Sequence, residues 1–201
     1  MNEGYTKYIA EHTMALAVDF PGLTELDNAR TKLHELGLIG EIPGGPGYGN
    51  ISIRYKENEF FISGTATGAL PILGPDHYCL VRSFDLEQNK VITSGPVQAS
   101  AETMTHGVVF KSCPEVHCVI HIHSRAIFDG MIKDKYPATP QSAEFGTPEI
   151  ALAIAKCVSE INKDEGMIVL SGHDEGVIIY GPTVGRALQL TLELNFKYGR
   201  A

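Results

Sequence analysis

Apolar residues recur along the chain at two periods, and the changes from one to the other predict its elements. From about Tyr5 to Phe20, Ile9, Ala10, Met14, Leu16 and Ala17 predict a first helix. A second follows Pro21 and Gly22, with Leu26, Ala29, Leu33 and Leu36 on one stripe. Thr24 and Asp27 form a capping-box pattern at its start, and Gly37 supplies a stop. Strand patterns come next: Ile51–Tyr55 turns at Glu57 and Asn58 and returns through Phe60–Ile62. A second pair runs through Tyr78–Phe84 and Lys90–Thr93, separated by polar Glu87, Gln88 and Asn89. Ser100 is the expected N-cap of a helix over Glu102–Ser112, with Met104, Val108 and Val109 inward. A strongly strand-forming run containing Val116, Cys118, Val119, Ile120 and Ile122 follows. Ser124 caps a helix containing Ala126, Ile127 and Met131 that breaks near Pro137. Another helix spans Pro148–Ile161, strands lie at Met167–Leu170 and Val177–Tyr180, and a last helix runs from Thr183 to about Tyr198. No repeat or linker divides the chain, so residues 1–201 read as one mixed α/β layered domain. The strand pairs argue against an all-parallel sheet.

Composition narrows the class. Hydrophobic residues at 43% and charged residues at 20% fit a soluble globular protein with a substantial core. A net charge of −8 gives no general attraction for nucleic acid or anionic membrane, so an anionic substrate would need a local donor pocket. Cys79, Cys113, Cys118 and Cys157 form no CxxC pair and fit reduced thiols in a cytoplasmic protein. No secretory leader or membrane-spanning run is evident.

The candidate chemistry centres on Glu115–Ser124, which ends His-Ile-His-Ser. Residues two apart on a strand share a face, roughly 7 Å apart along the chain. His121 and His123 therefore stand side by side, with Ile120 and Ile122 turned to the other face. Two neutral imidazoles are donors to a divalent metal; the alternative is a buried pair satisfied by hydrogen bonds. For a third ligand, His12 and His34 read as surface residues and His77 as part of a Gly-Pro-Asp-His turn. His117 reads as a strand-end residue, and His106, one helical turn from Glu102, as its hydrogen-bond partner or a supporting group. His173 is favoured, because it lies in a polar, glycine-flanked loop (Leu170–Gly176) between two apolar strands. Glu102, at a helix start, is the candidate proton carrier, though a first-turn carboxylate also satisfies the helix dipole. The loops Gly44–Asn50 and Ser63–Gly68 could cradle an anion with backbone N–H groups or simply be tight turns. Neither is a Walker or dinucleotide fingerprint.

Taken in order, Gly49-Asn-Ile-Ser-Ile-Arg54, Ile62-Ser-Gly64, Ser100-Ala-Glu102, Val119-Ile-His-Ile-His-Ser124 and His173 resemble the class II aldolase/adducin family from about Glu11 to Tyr198. The resemblance implies a three-layer α/β/α domain with a mixed, mostly antiparallel central sheet. It makes His121, His123 and His173 the ligands of one divalent metal, zinc foremost, with manganese, cobalt, nickel or iron also accepted by such donors. It makes Glu102 the catalytic acid/base and places Asn50, Ser63, Gly64 and Ser100 at the positions that hold a substrate phosphate. The implied activity is a lyase that cleaves a carbon–carbon bond through a metal-stabilised enediolate. The implied substrate is a small sugar phosphate or hydroxy acid, and the implied assembly a homo-oligomer, a tetramer by resemblance. Two departures bear on the substrate. Ala101 stands where aldolases carry a second serine, and the Ile62–Leu70 loop is richer in glycine and threonine than the usual turn. Two other readings follow from the same family: a dehydratase of the methylthioribulose-phosphate type using Glu144, and a non-catalytic interaction domain as in adducin heads. Retention of the three histidines and Glu102 argues against the second.

Overall fold

The computed structural model describes residues 6–173 and 175–199. In chain order it begins with β1 (Ile9–Met14), α1 (Leu23–Glu35), the short β2 (Gly40–Glu41) and β3 (Gly47–Tyr48), β4 (Asn50–Lys56) and β5 (Glu59–Ser63). Then come β6 (Tyr78–Asp85), β7 (Lys90–Gly95), α2 (Thr103–Ser112), β8 (Cys118–His123) and α3 (Arg125–Lys133). The order closes with α4 (Pro148–Ile161), β9 (Gly166–Val169), β10 (Gly176–Gly181) and α5 (Val184–Tyr198). Eight of these strands form one sheet in the order β1-β7-β6-β5-β4-β8-β10-β9, while β2 and β3 pair separately. Every pairing in the large sheet is antiparallel except β1 with β7, so the expected mixed, mostly antiparallel α/β architecture is the one observed.

Alternation along the strands builds two cores, one on each face. Ile51, Ile120, Ile122 and Ile179 pack with Leu26 and Leu33 of α1, Ile127 and Met131 of α3 and Leu190 and Leu194 of α5. Phe60, Ile62, Val119 and Ile178 pack on the other side with Met104 and Val108 of α2 and Ile150 and Ile154 of α4. This is the helix–sheet–helix layering that buries both faces of a central sheet. Two caps hold as the sequence predicts a helix start there. Ser124 accepts the Ile127 N–H at 3.4 Å, and Pro148 opens α4 in its first turn.

Three local expectations are corrected. The segment read as a first helix carries the strand β1 instead; Tyr5 lies outside the described residues. Its backbone pairs in parallel with β7, from Ile9 opposite Lys90 to Met14 opposite Gly95, and a free strand edge thus outweighs weak helical spacing. The Thr24–Asp27 capping box does not form: Gly22 is the N-cap of α1, and the Asp27 carboxylate accepts the Tyr78 hydroxyl at 2.5 Å. Ser100 is not the N-cap of α2, a position held by Glu102 itself.

Candidate metal centre and active site

Strand β8 sits inside the sheet between β4 and β10, and its parity decides which side chains meet. His121 and His123 share the face of Val119, whereas Ile120 and Ile122 enter the opposite core. The loop from β9 to β10 brings His173 over the same spot. It is a tight reversal, with the His173 N–H on Leu170 O at 2.8 Å and the Gly176 N–H on His173 O at 2.9 Å. Two glycines make the approach possible. A Cβ on Gly172 would collide with the Ala143 carbonyl, and one on Gly176 would come within 2.5 Å of His173 Cδ2 and 3.2 Å of His121 Cε1.

The three Nε2 atoms converge: His121 to His173 is 3.2 Å, His121 to His123 is 3.0 Å and His123 to His173 is 2.9 Å. Three imidazoles cannot satisfy one another through a single shared point, but three lone pairs aimed there suit a cation. His121 Nδ1 lies 3.1 Å from the Val177 carbonyl, so that nitrogen carries the proton and Nε2 keeps its lone pair. Burial pushes the pKa of His121 down to about 4, and that of His173 to about 2 with help from His121 and Lys7. Burial, then the neighbouring His121 and His173, also holds His123 well below the ordinary histidine range. All three are therefore neutral donors, and the set fits a divalent metal with a position left for an outside oxygen.

A cavity of about 600 Å³ opens over this cluster. Glu102, 2% exposed at the N-cap of α2, lines it with Asn50, Gly64 and Ser100. Asn50 stands directly opposite His121 on the neighbouring strand and donates from Nδ2 to Ser100 Oγ at 3.0 Å. Ser100 Oγ also accepts the Glu102 N–H at 3.3 Å. A hydroxyl that accepts twice keeps its own proton free to donate, and Ser100 lies in the cavity lining.

Other expected contributors sit differently. Ser63 is 2% exposed, and its hydroxyl accepts the Ile51 N–H at 3.2 Å rather than lining the cavity. Gly64 lines the cavity but commits its N–H to His77 O at 2.8 Å. Glu144 is exposed outside the lining, although its neighbour Phe145 lies within it. His106 does not turn its ring to Glu102. Its Nδ1 meets Ser52 Oγ at 2.7 Å, and its backbone N–H bonds Glu102 O at 3.1 Å. His117 is exposed just before β8, and His12 and His34 are half-buried, His12 with Thr93 Oγ1 2.9 Å from its Nδ1.

Several participants are absent from the sequence reading. The Phe145 ring stacks on His173 with centroids 4.5 Å apart, and Tyr48 lies 5.7 Å from the His123 ring. Glu41 adds a second carboxylate to the wall. The loop Thr65–Ala69 forms one side and contains Ala66 in the left-handed region at φ 58°. Most of it lies in the Ser63–Gly68 stretch already read as a possible anion cradle, as Tyr48 lies in Gly44–Asn50. Beneath it, buried Arg30 donates to the carbonyls of Thr67 at 2.8 Å, Gly68 at 3.0 Å and Leu70. An apolar ring and a buried arginine under a loop leave no short motif, so only the folded path reveals them.

Comparison with known proteins shows likeness in sequence and in fold. The chain is 35% identical over 104 residues to a methylthioribulose-1-phosphate dehydratase of Leptospira interrogans, covering 46% of this chain and 39% of that protein. It thus spans well under half of that relative's length. It is 29% identical over 150 residues to an L-fuculose phosphate aldolase of Methanococcus vannielii, covering 69% of this chain and 75% of that one. A solved L-fuculose 1-phosphate aldolase superposes with a TM-score of 0.66 at 17% identity, over 90% of this chain and 84% of that one, a likeness of fold. The family model described as the class II aldolase and adducin N-terminal domain matches residues 45–197, most of the chain and every residue of the histidine cluster. The chain belongs to the class II aldolase and adducin N-terminal domain family.

Proposed function

We propose that this chain is a metal-dependent lyase of the aldolase type, acting on a small sugar phosphate or a related hydroxy-carbonyl compound. One observation carries the reading: the buried Glu102 and the three convergent imidazoles border a single cavity. When bound, a divalent metal, zinc foremost, would polarise a carbonyl oxygen as a Lewis acid. His121, His123 and His173 would hold it through Nε2. When the carbon–carbon bond opens, the hydroxyl on the carbon that becomes the new carbonyl releases its proton to water. Glu102 gives a proton to the carbon that keeps the bonding pair and is reprotonated from water; the reverse direction returns both protons. The Ser100 hydroxyl donates to the anionic end of the substrate, and Asn50 holds that hydroxyl in place. Ser63 supports the same corner from below through Ile51, and Gly64 leaves room beside it. A homo-oligomer in the cytoplasm completes the reading.

A dehydratase using Glu144 is the second reading, favoured by the name of the Leptospira relative and by the position of Glu144 beside the ring that stacks on His173. Zinc-loaded protein assayed on sugar phosphates and hydroxy acids for cleavage and dehydration separates the two. Glu102→Gln is expected to lose about 10²- to 10⁴-fold in rate, the usual contribution of a positioned proton carrier, with Glu144→Gln near wild type. Loss confined to Glu144→Gln overturns the aldolase assignment in favour of the dehydratase.

A further inference from the structure

Residues ahead of the family match also reach the site. The match begins at residue 45, yet Lys7 and Tyr8 touch both of its sides. Their backbone is pinned at the start of β1: Lys7 O accepts Asn89 Nδ2 at 3.0 Å, and the Ile9 N–H donates to Asn89 O at 2.7 Å. Two side chains diverge from that anchor. Tyr8 is buried, and its hydroxyl lies 3.0 Å from Ser100 O, 3.3 Å from Ala99 O and 3.4 Å from Thr103 Oγ1. These atoms belong to the turn that delivers Glu102 to the cavity. Lys7 goes the other way. Its Nζ donates to Phe145 O at 2.7 Å and sits 5.3 Å from the centre of the Phe145 ring. Its stem lies against Gly146, where a Cβ would come within 3.3 Å of Lys7 Cδ. Phe145 in turn stacks on His173 with an interplanar angle of 18°.

We infer that the Lys7–Tyr8 step is a clasp that sets the Glu102 turn and the His173 ring relative to each other, so that both are positioning residues. Tyr8 acts through Ser100 and Thr103; Lys7 acts through Phe145. The role in metal holding rests on the proposed metal centre, whereas the clasp itself is a property of the metal-free fold.

The test uses the full chain. In metal-free protein, the stacked Phe145 shields the ring protons of His173, and imidazole NMR spectra read that shift. Phe145→Leu is expected to abolish it, Lys7→Met to reduce it and Lys7→Arg to retain it. Tyr8→Phe keeps the buried ring but loses the hydroxyl. The Thr103 amide, bonded to Ser100 O at 3.1 Å, is then expected to exchange about tenfold faster, as loss of one hydrogen bond implies. Zinc affinity is expected to fall about tenfold in Lys7→Met, in line with loss of support behind a ligand, and to recover in Lys7→Arg. An unchanged His173 spectrum in Lys7→Met, or an unchanged Thr103 exchange rate in Tyr8→Phe, overturns the clasp. If wild-type protein takes up no zinc while both spectra move as expected, the metal reading falls and the clasp stands.

Discussion

His106 is fully enclosed, with Ser52 Oγ at 2.7 Å from Nδ1 and no hydrogen-bond partner for Nε2 among the described residues. Burial, reinforced by nearby His121, holds its pKa well below the ordinary histidine value. The folded protein therefore keeps it neutral, while the unfolded chain protonates it below about pH 6.5. Between that pH and the depressed folded value the unfolded state binds one more proton, so stability must fall as pH falls. The slope for one proton is about 1.4 kcal/mol per pH unit. Urea unfolding of metal-free protein between pH 6.5 and 5 should give a steeper loss for wild type than for His106→Gln, by about that one-proton slope. Equal slopes would mean that His106 titrates as if exposed. At this scale the sequence is legible where geometry is periodic: strand parity pairs His121 with His123, and flanking glycines mark His173. It is silent where a side chain chooses among partners. Ser63 occupies the expected strand end, yet its hydroxyl turns to the Ile51 N–H, which no residue pattern announces.

Among the elements, the hairpin of β4 and β5 and the pair β6 and β7 could be read directly, since alternation and a polar turn are local signals. The helices α4 and α5 were equally legible from their stripes and first-turn residues. β1 was not, because its partner β7 lies some eighty residues away in sequence and its apolar residues have no core to face. Ile9, Met14, Leu16 and Val18 are exposed, Leu16 at 89%. Apolar residues that pack against nothing contribute nothing to folding. Leu16→Lys should accordingly change stability by no more than about 0.5 kcal/mol in urea unfolding, as for other surface substitutions. A loss of several kcal/mol would show that Leu16 is covered in the folded protein, within the chain or in the proposed homo-oligomer.

At the level of the whole molecule, the cavity wall is assembled from distant parts: β8 and the β9–β10 loop supply imidazoles, α2 a carboxylate and β4 an amide. Such a set exists only in the folded chain. A metal that binds it stabilises the native state by about 2.7 kcal/mol at a free concentration a hundred times Kd. Calorimetry after chelator dialysis should show a lower Tm, restored by added zinc, and His121→Ala should abolish the restoration. A Tm indifferent to zinc in wild-type protein would count against the metal centre. No helix among the described residues is long and apolar enough to cross a membrane. The placing of cavity-facing histidines, the candidate metal donors, and core residues on alternate positions of β8 also has a bearing on how this chain can vary over generations. A one-residue insertion or deletion in that strand would carry isoleucines into the cavity and histidines into the core, so fold and chemistry would fail together. The surrounding loops, at Gly44–Gly49 and Thr65–Ala69, face no such double constraint. Inheritance can revise what the cavity accepts there, one loop at a time, while the strand that holds the donors stays the same length.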